Sequence, residues 1–321
     1  MNCARRQLLL LMGAAYCGWV QAQAGVRVIG VLGNSRDDPA TQALVTAMEK
    51  LGWNEGRNVR YDCRPGSDDY ERLGDVARAL LAAKAEVIVV TAGVTAALAA
   101  RRATETTPIF ALGVADPVRF GLVRSLANPG ANVTGIVATT PAWGKYLELA
   151  REALPRATRL ALFANPANVG FDDYVAQNEV AAKALGLQLK VLRVAEEPQL
   201  DSAFDTLNRE RVDVLVFGPD RIFIRHLGKL LKRAEEQQLP VVGPTRQAAL
   251  AGALLSYSLD PREVYERSAA LLDRILRGSR PADIAFEQPT RYLLVVNLEA
   301  ARRLGIIVPS SLMLRADEVL R

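Results

Sequence analysis

Val26-Arg27-Val28-Ile29-Gly30-Val31-Leu32, followed by the polar Gly33-Asn34-Ser35, reads as a buried strand running into a loop. The same phrase returns in the second half of the chain. Thr158-Arg159-Leu160-Ala161-Leu162-Phe163 is followed by Ala164-Asn165-Pro166. Two further pairs keep the same order. Val87-Ile88-Val89-Val90 and Thr91-Ala92-Gly93 correspond to Val212-Asp213-Val214-Leu215-Val216-Phe217 and Gly218-Pro219-Asp220. The Pro-led Thr107-Pro108-Ile109-Phe110-Ala111-Leu112 corresponds to Leu239-Pro240-Val241-Val242-Gly243. Near-continuous apolar strands separated by helices imply right-handed βαβ units and mostly parallel sheets. Two such lobes make a cleft, and a cleft that opens and closes suits reversible ligand capture.

The first residues stand apart from this repeat. Arg5 and Arg6, the apolar run Leu8 to Ala15 and Ala22-Gln23-Ala24 have the order of a secretory signal peptide cleaved after Ala24. Arg5-Arg6-Gln7-Leu8-Leu9 weakly resembles a twin-arginine signal, so both export routes stay open. Tyr16 before Cys17 does not suit lipidation. No later apolar stretch approaches the ~20 residues that span a bilayer, so a soluble, exported, periplasmic protein is expected. Loss of Cys3 and Cys17 with the leader leaves Cys63 alone, without an intrachain disulfide partner. Half of the 321 residues are hydrophobic, as globular chains require. The net charge of +5 counts Arg5 and Arg6, so the remainder carries +3 without a block of like charges. That balance gives no support to nucleic-acid binding.

Along the chain, Ala43–Leu51 reads as a helix ending at Gly52, and Val59–Cys63 as a strand. Leu73, Val76, Ala77, Leu80 and Leu81 form one helical stripe. In the second half the expected elements are a helix over Tyr174–Leu185, a strand over Leu187–Val194, and helices over Ala203–Arg209 and Ile222–Gln237. After Ala253–Tyr257 a helix carries Val264, Leu271, Leu272 and Ile275 on one face, and Tyr292–Val296 is the last expected strand. The turn-rich stretch Pro129–Gly135, the segment Ser258–Pro261 and the segment around Ile284–Thr290 are candidate crossings. The expected architecture is α/β, with two Rossmann-like lobes joined by three crossing segments. Residues 25–138 plus about 260–284 make lobe 1, and about 139–259 plus 285–321 make lobe 2.

The chain lacks G-x-x-x-x-G-K-[ST], a G-x-G-x-x-G after its first strand and a G-x-S-x-G elbow. One histidine, His226, and one mature cysteine cannot build the usual zinc or Ser/His/Asp sites, so no metal, cofactor or catalytic residue is assigned. The pairs Asp37-Asp38, Asp68-Asp69 and Asp172-Asp173 precede helices and read as caps. What remains is polar residues at the carboxyl ends of strands, where open α/β sheets bind ligands. In lobe 1 these are Asn34, Ser35, Thr91, Ala92, Gly93, Thr95 and Asp116; in lobe 2, Asn165, Asn168, Asp220, Thr245 and Tyr257. Thr95 lies near the start of an expected helix Ala96–Ala103, whose N–H groups suit a carboxylate. Asp220 either meets a ligand amine or hydroxyl or caps the following helix. The Tyr257 ring either walls the cleft or joins the core.

At these residues the chain resembles a known family. Ala115-Asp116-Pro117-Val118, Gly121-Leu122-Val123, Ser125-Leu126 and Asn128-Pro129-Gly130-Ala131-Asn132-Val133-Thr134-Gly135 are similar to the signature DPVxxGLVxSLxxPGGNVTG. That signature belongs to the ABC-transporter substrate-binding proteins of the tryptophan/tyrosine type. Gly52-Trp53-Asn54-Glu55-Gly56-Arg57-Asn58-Val59 and the tail from Glu287 to Val319 also resemble that family's segments. Ala131 and Ser258 depart from the pattern, both standing where glycine is common. The resemblance implies a type I periplasmic-binding-protein fold. It also implies a small-molecule ligand, an amino acid or small carboxylate, passed to an ABC permease and its ATPase. A sensing module for a membrane receptor and a carboxylate-only enzyme are the other readings of the same residues.

Overall fold

The alternation of strand and helix resolves into two sheets in the computed structural model, which describes residues 25–66, 70–138 and 144–321. The leader at 1–24 and the pair Asp68-Asp69 lie outside the described residues. In the first half, β1 (Arg27–Gly33), α1 (Pro39–Glu49), β2 (Val59–Pro65) and α2 (Leu73–Ala82) come first. They are followed by β3 (Val87–Val90), α3 (Gly93–Ala103), β4 (Ile109–Val114) and β5 (Val133–Val137). The five strands form one parallel sheet in the order β2-β1-β3-β4-β5.

The second half begins with α4 (Lys145–Ala153), β6 (Arg159–Ala164), α5 (Phe171–Ala184), β7 (Gln188–Arg193) and α6 (Pro198–Arg209). Then come β8 (Val214–Phe217), α7 (Arg221–Arg225), α8 (Leu227–Glu236), β9 (Val241–Gly243), α9 (Arg246–Leu250) and β10 (Leu255–Leu259). The chain ends with α10 (Pro261–Leu276), β11 (Tyr292–Asn297), α11 (Leu298–Arg303), α12 (Ser310–Arg315) and β12 (Glu318–Leu320). The second sheet runs β7-β6-β8-β9-β10-β11-β12, parallel except for the antiparallel pair β10–β11. Its first five strands repeat the order of the first sheet, so the repetition in sequence is a repetition of topology. Among the described residues no helix is long and apolar enough to cross a membrane.

Each sheet has an apolar core on both faces. Helix α10 reveals the interleaving. It follows a strand of the second sheet, yet its Ala269, Leu272 and Ile275 pack with Ile29, Val31 and Ile136 of the first. Asp260 begins it by accepting the Arg262 N–H at 2.9 Å, and Pro261 occupies the first turn where a missing N–H costs nothing. The chain therefore passes between the sheets after Val137, at Asp260, and between Glu287 and Tyr292. The first and third passages lie side by side. The Glu287 N–H donates to Gly135 O at 3.0 Å, and the Val137 N–H donates to Glu287 O at 2.8 Å. The buried Thr134 hydroxyl donates to Ile284 O at 2.8 Å.

Several elements differ from expectation. The tail of the turn-rich Pro129–Gly135 stretch opens β5, because Val133, Ile136 and Val137 are buried against β4. The helix expected over Ile222–Gln237 breaks at His226 into α7 and α8. Tyr292–Asn297 is not the last strand, since β12 adds beside it. Helix α3 starts at Gly93, which places Thr95 inside its first turn.

Gly135 explains how β5 fits. A Cβ there would lie 2.0 Å from the Ala111 carbonyl oxygen, and that neighbour is backbone that cannot swing away. Gly135→Ala is expected to destabilise the protein by about 1–3 kcal/mol or more. A urea midpoint equal to that of the unchanged protein would refute this account of the β4–β5 contact.

Candidate functional site

The carboxyl ends of β3, β4, β6, β8 and β9 converge on one cavity between the lobes, of about 320 Å³. That is the small end of the range for small-molecule sites, roughly 300–1,000 Å³. Seven of its described lining residues are aromatic: Phe120 and Tyr265 from the first lobe, and Tyr146, Phe171, Tyr174, Phe223 and Tyr292 from the second. Burial pushes the Tyr265 phenol up to about 12 and those of Tyr146 and Tyr174 higher, so these rings remain neutral hydroxyls in ordinary solution.

Asp220 is the one acidic side chain in this wall among the described residues, and it is only 8% exposed. Burial of a carboxylate requires donors, and four are present. Its Oδ1 accepts from Asn165 Nδ2 at 3.0 Å and from the Ile222 N–H at 3.2 Å. Its Oδ2 accepts from Asn168 Nδ2 at 2.7 Å and from the Tyr70 hydroxyl at 3.0 Å. The two asparagines are themselves fixed, because their Oδ1 atoms accept the N–H groups of Ala167 and Gly170, each at 2.9 Å. Tyr70 comes from the other lobe. Burial, then the adjacent Asp220 charge that it bonds, pushes its phenol far up, so it stays protonated and donating.

Arg246 is the basic counterpart in the wall. Its guanidinium grips Glu318 of β12 with two bonds, at 2.6 and 2.5 Å. The pairing raises the Arg246 pKa and lowers that of Glu318, so both stay charged and mutually satisfied. At the opposite wall α3 begins with Ala92, which offers no side-chain cap. Gly93, at φ +75°, forms that wall with its Cβ direction open.

The lobes touch across the cleft at several points besides Tyr70–Asp220. Arg221 Nη2 and Arg225 Nη1 donate to Gly66 O at 2.5 and 3.0 Å. The Val169 N–H donates to Thr95 Oγ1 at 3.3 Å, and Arg119 pairs with Asp173 at 2.5 Å. This is a closed arrangement.

Of the residues singled out in the sequence, Gly93, Asn165, Asn168, Asp220 and Thr245 line the cavity. Asp220 and Thr245 do two jobs, since each also caps the helix that follows it. The others lie outside the lining. Asn34 Nδ2 donates to Asp38 Oδ1 at 3.1 Å and Ser35 O accepts the Asp38 N–H, so both help start α1. The Thr91 hydroxyl donates to Leu32 O at 3.2 Å, and Ala92 is packed in the first lobe's core. Thr95 meets the opposing lobe, as described. Asp116, at φ +29°, accepts the Arg119 N–H at 3.1 Å and forms a turn. Tyr257 stacks on Tyr292 with ring centroids 5.2 Å apart, so it braces a wall ring from behind. Tyr70 and the wall aromatics escaped the sequence reading. A ring within about a turn of a helix start, as at Tyr146, Phe171 and Tyr174, was the available signal.

The chain matches the family profile described as ABC transporter substrate binding protein over residues 25–320. It is 24% identical over 269 residues to a tyrosine-binding protein of Clostridioides difficile (strain R20291), covering 84% of this chain and 77% of the relative. A conserved domain protein from Vibrio cholerae O1 superposes with a TM-score of 0.83 at 24% identity, over 92% of this chain and 99% of that one. The ABC domain in complex with L-Trp from Streptococcus pneumonia gives a TM-score of 0.81 at 20% identity, over 92% and 100%. The repeated parallel sheets of these neighbours are those of the type I periplasmic-binding-protein fold. With the profile spanning nearly all of both lobes, the chain belongs to the ABC transporter substrate-binding protein family.

Proposed function

We propose that this chain captures an aromatic amino acid between its lobes and presents it, closed, to an ABC permease with its ATPase. The aromatic character of a small cavity shared by both lobes carries the reading. Fully burying an aromatic side chain there contributes about 1.5–3 kcal/mol, and stacking adds about 0.5–1.5 kcal/mol. Asp220 is the group suited to an α-ammonium, and the uncapped start of α3 is suited to an α-carboxylate. The relatives' ligands, tyrosine in one and L-Trp in another, agree with this choice.

Delivery requires the ligand to favour the closed state, which contacts from both lobes provide. The leader pattern at residues 1–24 and the start of the family match at residue 25 support an exported, periplasmic protein cleaved after Ala24.

Isothermal titration of the mature protein is expected to give one-to-one binding of L-tyrosine or L-tryptophan and none of L-aspartate. No heat with any aromatic amino acid would overturn the ligand assignment. Tyr70→Phe removes one bond to a charged group across the cleft, worth about 1.5–3 kcal/mol, and should weaken apparent affinity roughly ten- to a hundredfold. Equal affinity would show that this bond does not favour closure. Intact-mass measurement on protein from a periplasmic extract should give a chain starting at Gly25; a retained leader would exclude the cleavage proposed here.

A further inference from the structure

Helix α7 is a short piece of chain, yet it follows the cavity's acid directly and carries two arginines, Arg221 and Arg225. Ile222 and Phe223 anchor it in the second lobe's core, where the Phe223 ring packs on Phe163 and Phe217 with centroids 5.9 and 5.8 Å apart. Arg221 and Arg225 stand at i and i+4, on one side of the helix. Both reach the same atom of the first lobe. Arg221 Nη2 and Arg225 Nη1 donate to Gly66 O at 2.5 and 3.0 Å, and Arg221 Nη1 donates to Gly33 O at 3.5 Å. These acceptors are held in place. Gly33 ends β1, Gly66 follows β2, and the Gly66 N–H donates to Gly33 O at 3.2 Å. A Cβ on Gly66 would lie 3.0 Å from Arg221 Cζ, so the missing side chain is what admits the guanidinium. Neither arginine lines the cavity.

We propose that Arg221 and Arg225 form a clasp that sets how readily the lobes close, and so scale the affinity for every ligand by one common factor. The proposal rests on the lobe closure of the function proposed above and not on the choice of an aromatic amino acid. Opening the lobes withdraws both guanidinia from the Gly66 carbonyl, and bonds from a charged donor are stronger than neutral ones. A contact made only in the closed state raises the closed-to-open ratio whatever the cavity holds. Apparent affinity follows the fraction of molecules able to close, so the clasp acts on all ligands alike. Asp220 adjoins Arg221 in the chain, so the cavity's acid and the clasp are carried on one rigid base. Arg221 and Arg225 are thus positioning residues, acting through lobe geometry and not through ligand contact.

The test pairs small-angle scattering of the ligand-free protein with calorimetric titration of L-tyrosine and L-tryptophan. The proteins compared are the unchanged chain, Arg221→Ala, the double variant Arg221→Ala with Arg225→Ala, and Arg221→Lys. Where the ligand-free protein is mostly open, the double variant should lose affinity roughly tenfold or more, by the same factor for both amino acids. Where it is mostly closed, the double variant should instead have a larger radius of gyration. Arg221→Lys keeps one charged donor and should fall between the unchanged chain and Arg221→Ala. Gly66→Ala crowds the guanidinium from the opposite lobe and should repeat the effect with both arginines intact. A melting curve checks that each variant is folded; if the double variant is not, Arg221→Lys and Gly66→Ala carry the test. Variants with the radius and the affinities of the unchanged protein would overturn the clasp. Unequal losses for the two amino acids would also overturn it, placing the arginines in ligand recognition. If the unchanged protein binds neither amino acid, the ligand assignment fails on its own, and the radius alone decides the clasp.

Discussion

The buried carboxylate of Asp220 is the constraint around which the cleft is built. A desolvated charge is tolerated only when its lone pairs are occupied, and the donors here come from separate segments. Asn165 and Asn168 hold it from the loop after β6, and the start of α7 holds it from its own chain. Tyr70 completes the set from the opposite lobe. Closing the lobes and finishing the solvation of Asp220 are therefore one event. The pinned asparagine amides keep the carboxylate in one orientation.

Around that point, helix starts and cavity walls are the same residues. Asp220 and Thr245 each follow a strand closely, cap the next helix and line the cavity. Asp260 makes the same strand-to-helix transition one strand further along the sheet, whereas Asn297 starts α11 at the opposite edge because β11 runs antiparallel. A parallel sheet collects these transitions along one edge, which is where the cavity lies. Tyr257 and Glu318 support this edge from behind. One holds the Tyr292 ring flat, and the other holds the Arg246 guanidinium.

The sequence carried much of this in plain form and hid the rest for identifiable reasons. Strands β1, β3, β6 and β8 are legible because burial on both faces leaves nearly unbroken apolar runs. Strand β5 is obscured because Gly135, which a sequence reader takes for a turn, lies within it at the close approach to Ala111. The wall aromatics are obscured differently. Tyr146, Tyr174 and Tyr265 lie on helices at positions that look like ordinary core. The loops after β1 and β6 are equivalent by topology and alike in composition. Asn34 is spent on Asp38 in one, while Asn165 and Asn168 reach the cavity in the other. Pattern alone does not separate them, since the difference is in side-chain direction.

The placement of α10 also governs the order in which the molecule can be made. The first sheet precedes the second in the chain, but one face of it, which α1 covers in part, stays incomplete until Pro261–Leu276 has been synthesised. A ribosome thus releases most of the polypeptide before either half has its complete apolar core. Domains ordinarily fold as units while the chain emerges, and this threading delays that step for the amino-terminal half. The nascent chain accordingly spends most of its synthesis without a finished core, and it becomes a closed body only near its end.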